Sequence, residues 1–134
     1  MRRVFADAWL YIALLDPNDA GHAKAVQACA DESITGIVTT RWVLMEVANM
    51  LSNSKARAGC AAFMRDLDHA EGMRIIPASE ELFHRGLALY DERPDKGWSL
   101  TDCISFLVMA DEHVIEALTG DHQFEQAGFT ALLT

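Results

Sequence analysis

The feature that most constrains this chain is the alternation of short apolar runs with single helices or pairs of helices. Residues 3–6, 36–39, 73–76, 114–118 and 129–133 read as strands, the first a buried run ending at Asp7. Helical stretches cover residues 8–15, 20–31, 41–53, 56–69, 79–91 and 99–109. Asp16-Pro17-Asn18, Ser52-Asn53-Ser54 and residues 92–98 supply the turn and loop chemistry between them. Such an alternation predicts an α/β fold with a mostly parallel sheet and helices on both faces. In a sheet of that kind ligands bind beyond the carboxyl ends of the strands. The length fits one compact domain spanning residues 1–134, able to bury roughly two-thirds of the surface its unfolded chain exposes.

Composition excludes several function classes. With 11 basic against 20 acidic residues the formal charge is −9, so the chain is no general nucleic-acid-coating protein, which needs a basic excess to neutralise phosphates. Action on RNA stays open if part of that negative charge gathers around metal ions. Cys29, Cys60 and Cys103 are odd in number and lack ligand spacing, which favours free thiols over a disulfide framework or a zinc site. The start MRRVFADAWLYIALL has arginines before an apolar run, but Asp7 interrupts it and no small-residue cleavage site follows. No uncharged run is long enough to span a bilayer, and a soluble, cytoplasmic protein is expected. Gly-x-Gly-x-x-Gly, P-loop and nucleophile-elbow motifs are all absent.

Four acids stand at places where chemistry could be built. Asp7 follows the first strand, and Asp121 follows the fourth by a two-residue turn, so both project from the carboxyl edge. Either could equally be a helix cap or a turn residue. Glu46 has Trp42, Val43 and Met50 as helical neighbours, and a carboxylate beside an apolar face needs a cation or an arginine partner. Asp102 lies on the core-facing side of an apolar helix, yet Ser99-x-x-Asp102 also fits a capping box. Both readings of Asp102 stay open. Magnesium and manganese prefer oxygen ligands, and a carboxylate cluster without basic partners gains a reason to exist from such an ion. This chemistry suits phosphoryl transfer better than acyl transfer.

VFADAWLYIAL, TTRWVLMEVANML, WSLTDCISF and LTGDHQFEQAGF, in that order, resemble the successive motifs of PIN-domain proteins. The chain is especially similar to the small bacterial and archaeal members that include VapC-type toxins. The resemblance spans nearly the whole chain and places an acid in each motif. It implies a three-layer α/β/α sandwich and an endoribonuclease dependent on Mg2+ or Mn2+, with metal-activated water attacking an RNA phosphodiester. On that basis Asp7, Glu46, Asp102 and Asp121 are the catalytic residues and metal ligands, with Thr119 as an auxiliary hydroxyl. An RNA substrate, an antitoxin protein and a homodimeric state are implied in the same way. Where other members carry a further acid beside the last aspartate, this chain has His122 and Gln123, which leaves one or two ions open.

Arg41, Arg93 and Lys96 could contact phosphate, or could be solvated charges and partners of nearby acids. Trp42 and Trp98 could stack on bases, or could belong to the core. The rival to an enzyme is a non-catalytic α/β module, either receiver-like or a PIN-like binding protein. A receiver needs paired acids early and a lysine late, and no lysine follows Lys96. A dehalogenase-type phosphatase needs Asp-x-Asp, where this chain has Asp7-Ala8-Trp9.

Overall fold

The structure, a computed structural model, describes residues 1–134. Strand β1 (Arg2–Ala6) is the middle of a five-stranded sheet. It pairs in parallel with β2 (Ile34–Thr40) on one side and with β4 (Glu116–Leu118) on the other. Strand β3 (Met73–Ile76) extends the sheet beyond β2, and β5 (Thr130–Ala131) extends it beyond β4. The order is therefore β3-β2-β1-β4-β5, with every pairing parallel. Val4 and Phe5 are wholly buried, as a central strand covered on both faces requires.

Helices α1 (Ala8–Leu15) and α2 (His22–Cys29) connect β1 to β2, and α3 (Arg41–Met50) and α4 (Arg57–Leu67) connect β2 to β3. Helices α5 (Glu80–Glu92) and α6 (Leu100–Asp111) lead back to β4, and α7 (Gln123–Gln126) precedes β5. Right-handed crossovers put the first four helices on one face and the later ones on the other. This is the three-layer α/β/α arrangement. It is not the receiver arrangement, whose strand order is 2-1-3-4-5. Helices α5 and α6 pack closely because Gly86 lacks a side chain, and a methyl there would collide with Ile104 Cγ1. No helix is long and apolar enough to cross a membrane.

Several elements are shorter than the sequence pattern predicts. Helix α3 stops at Met50 rather than at residue 53, where the Ser52 hydroxyl bonds the Asn49 carbonyl at 2.8 Å and competes with the helix. The fourth and fifth strands lose their first residues to one shared device. At the end of α6, Val114 N–H bonds Met109 O (2.9 Å) and His113 N–H bonds Ala110 O (3.2 Å), with His113 left-handed at φ 56°. At the end of α7, Phe129 N–H bonds Phe124 O (3.0 Å) and Gly128 N–H bonds Glu125 O (3.0 Å), with Gly128 at φ 95°. Both are Schellman closures, which take the residue that the apolar run assigns to the strand. The short helix α7 is absent from the sequence reading.

A left-handed histidine carries a steric cost that glycine escapes. The variant His113→Gly is therefore expected to stabilise the fold by about 1 kcal/mol. A chemical denaturation midpoint that stays unchanged or falls would contradict this account of the turn.

Three arginines are committed at the amino end of the sheet. Arg3 and Arg74 both reach Glu112, at 2.9 and 2.6 Å, and Arg2 reaches Glu116 at 2.9 Å. The carboxyl end carries an acidic recess.

Candidate active site

The chain runs from β1 outward to β2 and β3, then returns to place β4 on the other side of β1. The strand order reverses between β1 and β4, and a crevice opens there at the carboxyl ends of the strands. Asp7 follows β1 and Thr119 follows β4, so both stand in this crevice. An open recess of 490 Å³ is lined by Asp7, Glu46, Asp102 and Asp121, each delivered by a different part of the chain. All four acids singled out from the sequence thus share one wall.

Local bonding distinguishes the four. Asp7 is only 6% exposed and sits in the cap position of α1, yet its side chain makes no capping bond to that helix. Instead Oδ2 accepts the Thr119 hydroxyl at 2.9 Å. That hydroxyl oxygen in turn accepts the Asp121 amide at 3.1 Å, so Thr119, itself fully buried, ties together the acids that follow β1 and β4. Asp121 Oδ1 accepts the Gln123 amide at 2.9 Å and opens α7 as a turn residue. Asp102 completes a capping box, Oδ2 accepting Ser99 N–H at 3.1 Å while Ser99 Oγ accepts Asp102 N–H at 3.0 Å. Capping and lining the recess are compatible for Asp102, because one carboxylate oxygen is left over.

Glu46 has neither role. It projects from α3, half-buried, with no arginine partner. None of the chain's salt bridges involves Asp7, Glu46, Asp102 or Asp121. The ion-pair explanation for Glu46 is therefore set aside. Arg41 pairs with Asp68 at 2.7 Å and Arg93 with Asp95 at 3.1 Å, while Lys96 forms no pair. Trp98 is buried and Trp42 half-buried.

The electrostatic consequence is a set of carboxyls that resist ionisation. Burial pushes the Asp7 carboxyl up to about 7; the Asp102 charge adds to this, and the Thr119 hydroxyl and Ala8 amide oppose it. Glu46 is raised by burial and then by Asp102 and Asp121. Asp102 is raised by burial against the lowering effect of the Ser99 amide, and Asp121 raises it further. Acids that line one recess with no protein cation among them are suited to a bound cation.

The donor set is all oxygen, as a hard divalent ion requires. No three acidic, histidine or cysteine side chains converge as a ready set of ligands. Magnesium commonly keeps several waters, through which further carboxylates can act, so carboxyls around an open recess fit that ion better than a closed cage would.

Trp9 is the lining residue that sequence reasoning missed. Its indole packs directly on two backbones, so that a side-chain carbon on Gly21 or on Gly120 would come within 2.6 Å of the ring. The ring thereby braces the turn that carries Thr119 and Asp121. A glycine directly before Asp121 is the visible trace of this contact, but it reads equally as ordinary turn chemistry. Beneath the recess, Phe106 packs edge-on against Trp98 and Phe124, each at 5.0 Å between ring centroids.

Comparison with known proteins agrees with this geometry. The family signature described as PIN domain matches residues 4–130. The fold is similar to that of Mycobacterium tuberculosis VapC20, a toxin that cleaves the sarcin-ricin loop. The TM-score is 0.88 at 21% sequence identity, covering 98% of this chain and 99% of that one. No curated protein matches the sequence.

Proposed function

The chain belongs to the PIN-domain family, and from that premise we propose that it is an endoribonuclease dependent on Mg2+ or Mn2+, acting as the toxin of a toxin–antitoxin pair. The observation that carries the reading is Asp7: a buried carboxyl without a basic partner, hydrogen-bonded to Thr119 and facing three further acids. Asp7, Glu46, Asp102 and Asp121 would hold the ion. When bound, a divalent cation there supplies positive charge to the phosphodiester and eases deprotonation of water.

The remaining steps belong to the chain. Thr119 fixes the orientation of Asp7 and locks the Asp121 turn onto it. The capping box holds Asp102 at the first turn of α6, leaving its second oxygen free to orient water. Glu46 faces the recess from α3 and can accept a proton from that water. Residues 1–134 are read as one PIN-like unit. The antitoxin partner, the RNA substrate and a homodimer are part of the same proposal, supported by the family and by the likeness to VapC20.

The test is cleavage of structured and unstructured RNA by purified protein with magnesium, manganese or chelator, beside Asp7→Asn and Asp102→Asn. Cutting is expected with either metal and is expected to vanish in chelator and in both folded variants. Cleavage that persists in chelator, or in both variants, would overturn the metal–carboxylate reading. Growth arrest on expression, relieved by a co-expressed neighbouring DNA-binding protein, is the expected sign of the toxin role.

A further inference from the structure

A second recess, of 440 Å³, adjoins the acidic one, and the two share Gly97 and Ser99 in their walls. Tyr90, Arg93, Pro94 and Trp98 line it. Trp98 is anchored, being 7% exposed and packed edge-on against Phe106. The Arg93 guanidinium lies over this indole, Cζ 5.5 Å from the ring centroid. Its Nε and Nη2 are both committed to Asp95, each at 3.1 Å. The side chain nevertheless keeps 42% of its surface exposed, and Tyr90 beside it is half exposed.

A guanidinium in this state is a poor phosphate ligand, because its fork is occupied and its charge is already paired; Asp91 lines the same recess and would repel a phosphate. What it retains is a face. Single-stranded RNA is recognised largely by stacking of unpaired bases on aromatic rings and arginine planes. We infer that Arg93, held between Asp95 and Trp98, is a stacking platform for one unpaired nucleobase of the RNA, next to the nucleotide whose phosphate enters the carboxylate recess. The inference rests on the endoribonuclease reading and names a specificity subsite for it. Ser99 both walls this recess and caps the helix bearing Asp102, so a base seated here is held in register with the cut.

Steady-state cleavage of an unstructured oligoribonucleotide of mixed sequence, at several salt concentrations, tests the platform. Arg93→Ala and Arg93→Lys should both raise KM by about 5- to 150-fold, the loss of one base–aromatic stack, with kcat changed far less. The salt slope of binding should stay at the wild-type value. In an Asp102→Asn background, 2-aminopurine beside the scissile position should be quenched on binding, and the Arg93 variants should abolish that quenching. Asp95→Asn, which frees the fork without touching Arg93, should weaken quenching in the same direction. Full restoration of KM by Arg93→Lys, or a salt slope lower by about one in Arg93→Ala, would make Arg93 a phosphate contact and overturn the inference. Unchanged KM in Arg93→Ala, with wild type cleaving normally, would overturn it alone. Folded wild type that cuts no RNA with either metal would remove the nuclease reading and the platform together.

Discussion

Replacing Asp7 by asparagine is expected to abolish RNA cleavage while making the metal-free protein more stable at neutral and alkaline pH. The first effect follows, on the proposed function, from the loss of one of the four carboxylates that would hold the cation, where several kcal/mol of transition-state charge stabilisation amount to about a thousand-fold or more in rate. The second follows from burial. In chelator, the folded protein holds the Asp7 proton up to about pH 7, whereas the unfolded chain releases it near the ordinary aspartate value. The native state thus binds more protons between those limits, and stability falls as pH rises through that window. The loss is complete above the folded value, and a displacement of this size corresponds to about 4 kcal/mol. Asparagine cannot ionise, so the difference between variant and wild type should grow from pH 5 to pH 8. Thermal melts of both proteins in chelator at those pH values are the measurement. Parallel pH profiles would show that Asp7 is not the group responsible, and retained cleavage would remove it from the catalytic set.

Phe106→Ala should be among the most destabilising single changes, costing about 3–5 kcal/mol. The ring is 4% exposed and touches Trp98, Phe124 and Phe129 at centroid distances of 5.0, 5.0 and 5.8 Å. Two of those neighbours flank the site, Trp98 preceding the Ser99–Asp102 cap and Phe124 following Asp121. A cavity at Phe106 therefore loosens two of the four acids from below, and cation affinity should fall together with the melting temperature. Phe83→Ala, at an aromatic that is 38% exposed, is the comparator and should cost far less. Equal losses at the two positions would deny Phe106 this supporting role.

Much of this architecture is legible in the sequence because strand-type and helix-type periodicities differ. The strand at Met73–Ile76 appears with its observed limits, since Gly72 and Pro77 bound it on both sides. The trimmed strands were illegible for a physical reason. Val114 and Phe129 are apolar and look like strand residues, but their amides close the preceding helices. Periodicity records burial, not hydrogen-bond partners. The acids divide in the same manner. Glu46 stood out because a carboxylate beside Val43 and Met50 conflicts with its surroundings, whereas Asp102 and Asp121 were ambiguous because each also serves a cap or a turn. The bond from Thr119 to Asp7 and the seat of Trp9 on Gly21 and Gly120 depend on contacts across the fold, which no local pattern encodes.

The position of β1 between β2 and β4 also sets when the acidic recess can assemble. Asp7 emerges among the first residues of the nascent chain, but its hydroxyl partner lies 112 positions later. Contacts of such high sequence separation form late, because the closure entropy of the intervening chain must be overcome before they stabilise anything. A ribosome that stalls between residues 102 and 116 leaves a chain without β4, without Thr119 and without Asp121. Such a fragment carries three of the acids and no crevice to gather them. The topology thus acts as a timer: the four acids come to share one recess only as synthesis ends.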